Sequence, residues 1–370
     1  MRTHPYGGQH LICAVLGALF TLSQPFAADL SLAQRPSPPD YRFEFLTGED
    51  QDSEVRDINN AGTAVGTISA PGKYWGQEVL WPLSGTPVPL QGFGAKATAL
   101  NNGGQPTGYW QTSGQELAVT WSKEQIQPLP LDGNMGADAL GINVSGTVVG
   151  SLVKPNEDFV PAKWADGRAQ PLPVPKGATG RALDINDWCQ IVGEVRLNPS
   201  GVNHAYLWTS HQTIDLHPSD FDSSTAWAIN AIGQIAGWAV RDGASHAGIW
   251  NGRHFTDLNR YAFRSVAYDI NIWGLVVGDA SLTPGSGNTA VLWNLRHGKE
   301  AIDLNIYLPP EAVRAGWHLQ WAMAINDAGV IVGAAHQPST SRTRGFRLIP
   351  TRPVDWGKIP LAPKPDDDPP

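Results

Sequence analysis

Short apolar runs alternate with polar residues along most of the chain, and no stretch shows a helical period of useful length. In one representative segment the alternation predicts four strands, at residues 226–230, 234–240, 246–250 and 254–258. Gly, Asn and Asp separate these runs, which is typical of short antiparallel hairpins. The pattern therefore predicts an all-β protein built from four-stranded units.

This unit is repeated seven times, and its marker is an Asn that we call the repeat Asn. The intervals are 42, 42, 43, 44, 41 and 55 residues, between Asn59, Asn101, Asn143, Asn186, Asn230, Asn271 and Asn326. Seven residues after every repeat Asn comes a Gly. Three residues after it stands another Gly, except that Cys189 takes this place in the fourth copy. Later in the unit comes a Trp, replaced by Leu348 in the last copy.

Four strands in about 42 residues is the period of a propeller blade. Copy seven lacks its fourth strand, whereas residues 41–46 form an additional strand before copy one. Pairing these two ends would leave no incomplete blade. The sequence thus predicts a seven-bladed β-propeller of four-stranded antiparallel blades over residues 41–350, closed by the N-terminal strand completing the last blade.

The two ends of the chain carry different signals. Residues 1–28 have the order of a secretory signal peptide, with Arg2, a mostly apolar run at 11–22, and then Ala27 and Ala28. The apolar run is too short to cross a bilayer, so we expect a secreted or periplasmic protein without a transmembrane anchor. Residues 351–370 are rich in Pro and Asp and predict a disordered tail.

The unit resembles the HAF repeat of secreted bacterial proteins, whose consensus runs Ala, Ile-Asn, Gly, Val-Gly and then His-Ala-Phe-Leu-Trp. Residues 204–208 read His-Ala-Tyr-Leu-Trp and residues 246–250 read His-Ala-Gly-Ile-Trp, although no copy reads His-Ala-Phe. The resemblance covers residues 53–350. It implies an exported repeat protein of propeller type, in a family without a common biochemical activity.

Charge and motifs exclude several functions. A formal net charge of −8 with only 16% charged residues argues against a nucleic-acid binder, which needs clustered Lys and Arg. The chain has no Gly-x-Ser-x-Gly, His-Glu-x-x-His, Cys-x-x-Cys or phosphate-binding loop. We therefore predict no catalytic residue.

Aromatic residues outside the repeat positions are the better functional candidates, because exposed rings suit sugar rings or a protein partner. They lie near the loops that join second and third strands, or in the insertion 306–320 behind the 55-residue interval. Two arginines near the predicted channel mouth complete the set. The predicted ligand-binding residues are Tyr74, Trp75, Tyr109, Trp110, Tyr307, Trp317, His318, Arg56 and Arg181.

Three carboxylates stand two residues before a repeat Asn, at Asp57, Asp184 and Asp269. On an inner strand they could face the channel and hold Ca²⁺ through oxygen ligands. The alternative is that each accepts backbone amides at its own hairpin. No other cofactor is expected.

The leading functional hypothesis is a secreted, non-enzymatic, monomeric propeller that binds a glycan or a cell-surface or extracellular protein through one loop face. The alternative is an extracellular polymer-degrading enzyme, a hydrolase or lyase, with its site at the channel mouth. A propeller hosts both classes, so the fold alone does not choose between them.

Overall fold

The computed structural model describes residues 40–73, 76–156, 158–198, 201–259, 262–283, 285–296 and 298–352. Within these ranges the chain forms seven four-stranded antiparallel sheets. The predicted signal peptide, residues 353–370 of the predicted tail, and both Tyr74 and Trp75 lie outside the described residues.

The strands follow one another along the chain, and each blade takes four of them. An N-terminal strand, β1 (Tyr41–Phe45), comes first. Blade 1 contains β2 (Asp52–Ile58), β3 (Ala64–Ser69), β4 (Gln77–Trp81) and β5 (Val88–Pro89). Blade 2 contains β6 (Ala95–Leu100), β7 (Pro106–Gln111), β8 (Glu116–Ser122) and β9 (Gln125–Pro128). Blade 3 contains β10 (Gly136–Ile142), β11 (Val148–Val153), β12 (Phe159–Ala165) and β13 (Arg168–Pro171).

The second half of the ring repeats this order. Blade 4 contains β14 (Thr179–Ile185), β15 (Ile191–Arg196), β16 (Asn203–Trp208) and β17 (Thr213–Asp215). Blade 5 contains β18 (Ser223–Ile229), β19 (Gln234–Arg241), β20 (Ala244–Asn251) and β21 (His254–Asp257). Blade 6 contains β22 (Arg264–Ile270), β23 (Leu275–Ser281), β24 (Thr289–Asn294) and β25 (Ala301–Asp303). Blade 7 contains β26 (His318–Ile325), β27 (Ile331–Gln337), β28 (Arg342–Pro350) and β1.

The first strands of neighbouring blades contact one another around the ring, and β26 contacts β2. The first strands therefore border a central channel. This arrangement confirms the predicted seven-bladed β-propeller.

Every first strand carries a β-bulge, which lies between the residues four and two before the repeat Asn. The bulge explains the glycine seven residues after the Asn. A Cβ on Gly66, for example, would overlap the carbonyl oxygen of Glu54 on the paired strand, and the other six glycines face the corresponding oxygen. Only glycine permits this close approach of two strands.

Side chains at two repeat positions join successive blades. The amide of each repeat Asn donates to the backbone carbonyl oxygen of the repeat Asn in the next blade, at 2.9–3.3 Å around all seven copies. The indole N–H groups of Trp121, Trp164, Trp208 and Trp250 donate to carbonyls in the connection from the preceding blade. Successive blades are thus hydrogen-bonded to each other both beside the channel and farther from its axis.

The two ends of the chain meet in blade 7. Strand β1 pairs antiparallel with β28, from Tyr41 opposite Pro350 to Phe45 opposite Phe346. This pairing confirms the predicted closure by the N-terminal strand. Arg347 of β28 strengthens the same junction, because its buried guanidinium donates to the carbonyl oxygens of Trp81 and Pro82 in blade 1.

Between blades 6 and 7 the insertion forms a 3₁₀ helix, Leu304–Tyr307, and a short helix α1, Pro310–Arg314. Ala312 of α1 is buried in the apolar cluster shared by these blades. Among the described residues, no helix is long and apolar enough to cross a membrane.

Candidate functional site

Two positions of the blade vary in a repeat that is otherwise regular, and both lie on the two innermost strands. The first is the bulge residue, three before the repeat Asn, which is Arg56, Thr98, Leu140, Leu183, Trp227, Tyr268 and Met323 in chain order. The second is eight after the repeat Asn and is Thr67, Tyr109, Ser151, Glu194, Trp238, Asp279 and Ala334. Each blade therefore carries different side chains at these two positions.

Blades 1 to 4 contribute charged and polar groups, which we call the polar arc: Arg56, Tyr109, Glu116, Asp138 and Arg181. The arc includes three of the predicted ligand-binding residues. Burial raises the pKa of the Tyr109 hydroxyl, and the neighbouring Glu116 carboxylate raises it further. Burial likewise raises the pKa of Glu116, and the charge of Asp138 adds to this effect. These groups are therefore close enough to interact electrostatically.

The two arginines of the polar arc are held by neighbouring groups. Arg56 donates through Nε to the carbonyl oxygen of Ala97 at 2.5 Å, and it forms an ion pair with the buried carboxylate of Glu78. The guanidinium of Arg181 lies over the ring of Phe159, 4.6 Å from its centroid. Arg56 thus connects blades 1 and 2, while Arg181 projects toward blade 3.

Blades 5 and 6 contribute an aromatic arc, which consists of Trp227, Trp238 and Tyr268. The ring centroids of Trp227 and Trp238 are 5.4 Å apart, and those of Trp227 and Tyr268 are 6.1 Å apart. Trp227 retains 36% of its surface exposed on an innermost strand. The arc therefore presents an accessible indole that its neighbours hold in place.

The predicted metal-binding residues lie next to the hairpins that join the first and second strands, and Asp57 and Asp269 directly follow Arg56 and Tyr268. They border a cavity of about 180 Å³ lined by residues of all seven blades. Each carboxylate accepts two backbone N–H groups, one from the next residue and one from the next blade. For Asp184 these donors are Ile185 at 2.7 Å and Ile229 at 2.8 Å, and Asp57 and Asp269 repeat the arrangement.

Burial raises the pKa of Asp57 to about 6 and that of Asp184 to about 7. The pKa of Asp269 is also well above its ordinary value, because of burial and of the charges on the other two. No Lys, Arg or His occurs among the described residues that line the cavity. The described part of the chain contains no group of three His, Cys, Asp or Glu arranged to hold a metal ion. Ca²⁺ binding by these three residues stays a prediction.

The aromatic residues of the insertion pack against the closing strand. The ring of Tyr307 lies 5.0 Å from that of Tyr41, and the ring of Trp317 lies 5.1 Å from that of Phe45. Nε2 of His318 is 3.2 Å from the carbonyl oxygen of Asn288. These three residues thus lie beside β1 and blade 6, and the structure does not bring them together with the aromatic arc.

Tyr109 and Trp110 are adjacent on β7 and have different surroundings. Tyr109 belongs to the polar arc, whereas Trp110 donates its indole N–H to the carbonyl oxygen of Phe93 at 2.9 Å. Phe93 itself is almost fully exposed in the connection between blades 1 and 2. Trp110 therefore supports an exposed loop outside the channel.

Sequence reasoning missed all three members of the aromatic arc. A usable signal was present, because both the bulge position and the position eight after the repeat Asn vary among copies that share their Asn and Gly residues. Variation at fixed places on a regular scaffold indicates positions that packing does not dictate.

No family model matches the chain, and no curated protein matches it. Several solved β-propeller structures, however, are similar to this chain. The β-propeller domain of the Trilobed protease from Pyrococcus furiosus aligns with a TM-score of 0.52 and 12% identity, over 86% of this chain and 100% of that one. Streptogramin B lyase aligns with a TM-score of 0.51 and 14% identity, over 83% of this chain and 97% of that one.

A prolyl endopeptidase aligns with a TM-score of 0.52 and 11% identity, over 84% of this chain but only 51% of that one. This chain thus spans about half of that enzyme. At such identities these similarities show the propeller fold alone.

Proposed function

We propose that the protein is an exported, non-enzymatic binding propeller that holds an extracellular glycan against the aromatic arc. The observation that carries this proposal is the partly exposed indole of Trp227, set between Trp238 and Tyr268. A flat aromatic face binds the apolar face of a sugar ring, and an indole held by its neighbours loses little conformational freedom on binding.

The position of Trp227 favours a glycan over the other predicted partner, a cell-surface or extracellular protein. Trp227 lies within the first strand of blade 5, between Ser223, where β18 begins, and Ile229, where it ends. A sugar chain can enter a channel region, whereas a folded surface usually needs a broad contact area. Export is supported by the sequence of residues 1–28.

One observation favours the enzymatic alternative. Glu116 and Asp138 are neighbouring carboxyl groups, and burial raises the pKa of each, as in many acid and base catalysts. Asp138, however, accepts both the backbone N–H of Ser151, at 2.8 Å, and its hydroxyl, at 2.6 Å. These bonds give the carboxylate a structural role, so an extracellular hydrolase or lyase is the second candidate.

A glycan array and a polysaccharide-cleavage screen on the same purified protein test both candidates. We expect array binding without cleavage, and we expect Trp227→Ala to weaken it by at least about tenfold. The matched control is Trp188→Ala, since Trp188 is 75% exposed and donates its indole N–H to the carbonyl oxygen of Ala231, outside the aromatic arc. Polymer cleavage that is lost in Glu116→Gln would replace the proposal by the enzymatic alternative. Equal effects of the two Trp substitutions would place binding elsewhere.

A further inference from the structure

A buried carboxylate lies directly behind the aromatic arc. Asp279 is 0% exposed, and its Oδ1 accepts the hydroxyl of Tyr268 at 2.7 Å. In the described part of the chain, its Oδ2 has no hydrogen-bond partner. The cation that faces this oxygen is Arg264, whose Nη2 is 3.5 Å away and whose side chain is 46% exposed. The charge of Asp279 is therefore only partly compensated.

A second carboxylate flanks the arc on the side of blade 4. Glu194 accepts from the hydroxyl of Thr225 and from the side-chain amide of Asn203, both at 3.0 Å. Thr225 is the cross-strand partner of Trp238, so Glu194 adjoins the arc. The cross-strand partner of Glu194 is Arg181, which directs its guanidinium over the Phe159 ring. Two carboxylates thus flank three aromatic rings, with Arg264 paired to one of them.

This arrangement favours a positively charged ligand at the aromatic arc. Aromatic faces attract cations through their quadrupole, most strongly in Trp. The Tyr268 hydroxyl donates to a carboxylate, which increases the electron density of its ring. A buried carboxylate with an open oxygen is costly, and a cation nearby reduces that cost. The formal net charge of −8 attracts cationic polymers over a longer range.

We propose that the ligand held by the aromatic arc carries an ammonium group, supplied by a de-N-acetylated amino sugar of a glycan. The proposal rests on the glycan-binding function and adds the charge of the ligand. The ammonium group lies over the indole of Trp227, between the carboxylates of Glu194 and Asp279, while the sugar ring contacts the aromatic faces. N-acetylation removes the charge and enlarges the group, so the acetylated sugar keeps only the contact of its ring with the aromatic faces.

The test compares oligosaccharides of β-linked glucosamine with their N-acetylated counterparts of the same length, by calorimetry at about pH 5, because the oxygens of the sugar make its amine less basic than a lysine side chain and the amine is protonated at this pH. We expect the amino form to bind on the order of tenfold more tightly. Asp279→Asn should weaken binding of the amino form and so reduce this preference. The exposed Asp220→Asn, also near blade 5, is the charge-matched control. If Asp279→Asn fails to fold, Glu194→Gln on the opposite flank serves in its place.

The outcomes separate this inference from the proposed function. If both sugar forms bind equally and Trp227→Ala abolishes both, the ammonium proposal is overturned and glycan binding stands. If neither form binds, and Trp227→Ala changes no signal on the full array, glycan binding fails as well. Trilysine serves as a peptide source of ammonium groups. Binding of trilysine without binding of the amino sugar would overturn the assignment to a glycan.

Discussion

The side-chain amide of Asn326 donates a hydrogen bond to the backbone carbonyl oxygen of Asn59, at 3.0 Å and across 267 residues of chain. The Oδ1 atom of Asn326 also accepts the N–H of Val330 in its own hairpin, at 2.9 Å. One side chain therefore shapes a turn and joins the last copy of the repeat to the first. The same pair of roles recurs around the ring, which gives a physical reason for an Asn in all seven copies.

Replacing one repeat Asn should destabilise the whole ring. Asn230 is buried, accepts the N–H groups of Ile232 and Gln234, and donates to the carbonyl oxygen of Asn271. We expect Asn230→Ala to lower the free energy of unfolding by about 1–3 kcal/mol for each buried group left unpaired. Urea unfolding measures this loss. Asn251→Ala, at the exposed end of β20, is the control, and an equal loss there would argue against a special role for the repeat Asn.

The closure of blade 7 depends on a buried arginine. Arg347 is 2% exposed and donates to Trp81 at 3.0 Å and to Pro82 at 3.2 Å. We expect Arg347→Met to cost on the order of 3 kcal/mol, because it leaves buried carbonyl oxygens without donors. Thermal unfolding of this variant is compared with Arg42→Met, an exposed arginine on β1. Identical melting temperatures would show that the backbone pairing of β1 with β28 closes the ring without help from Arg347.

Cys189 occupies a backbone conformation that the other six copies give to Gly. Its φ is 58°, whereas the equivalent glycines, such as Gly146, have φ near 80°. A Cβ in this left-handed region costs about 1–2 kcal/mol. We therefore expect Cys189→Gly to raise the free energy of unfolding by about 1 kcal/mol in denaturant titrations. Cys189→Ala retains the Cβ and should bring no such gain, so a gain in both variants would contradict this account.

The channel carboxylates should make stability depend on pH. The pKa of Asp184 is raised from 3.8 to about 7 in the folded chain, so the folded state holds this proton more tightly than the unfolded state. Its contribution to stability therefore falls as the pH rises from about 4 to about 7. Asp57, with a pKa raised to about 6, acts in the same direction.

We expect Asp184→Asn to flatten this decline, because a carboxamide does not titrate. Urea unfolding at several pH values between about 4 and 8 gives the two slopes. Asp187→Asn, on the exposed rim of the same hairpin, controls for the loss of one carboxylate. Parallel profiles of Asp184→Asn and wild type would rule out this role for Asp184.

Much of the fold could be predicted because the blade is a local unit. Hairpins such as the one after Asn230 depend on residues close in sequence, so the repeated Asn and Gly positions predicted both the turns and the number of blades. The missing fourth strand in copy seven likewise predicted the pairing of β1 with β28. The candidate site was harder to predict from the sequence, because Trp227 and Tyr268 are 41 residues apart and come into contact only where two blades pack together.

By itself the sequence determined the number of blades, their strand order and the way in which the ring closes, since these follow from short-range periodicity and turn chemistry. Only the tertiary structure decided which variable side chains become neighbours. A bulge turns Trp227 out of the regular pairing, the packing of blade 6 against blade 5 brings Tyr268 to it, and Asp279 is buried behind Tyr268. The alternation of apolar and polar residues indicates which face of a strand is buried, but contact between blades depends on the geometry of the closed ring.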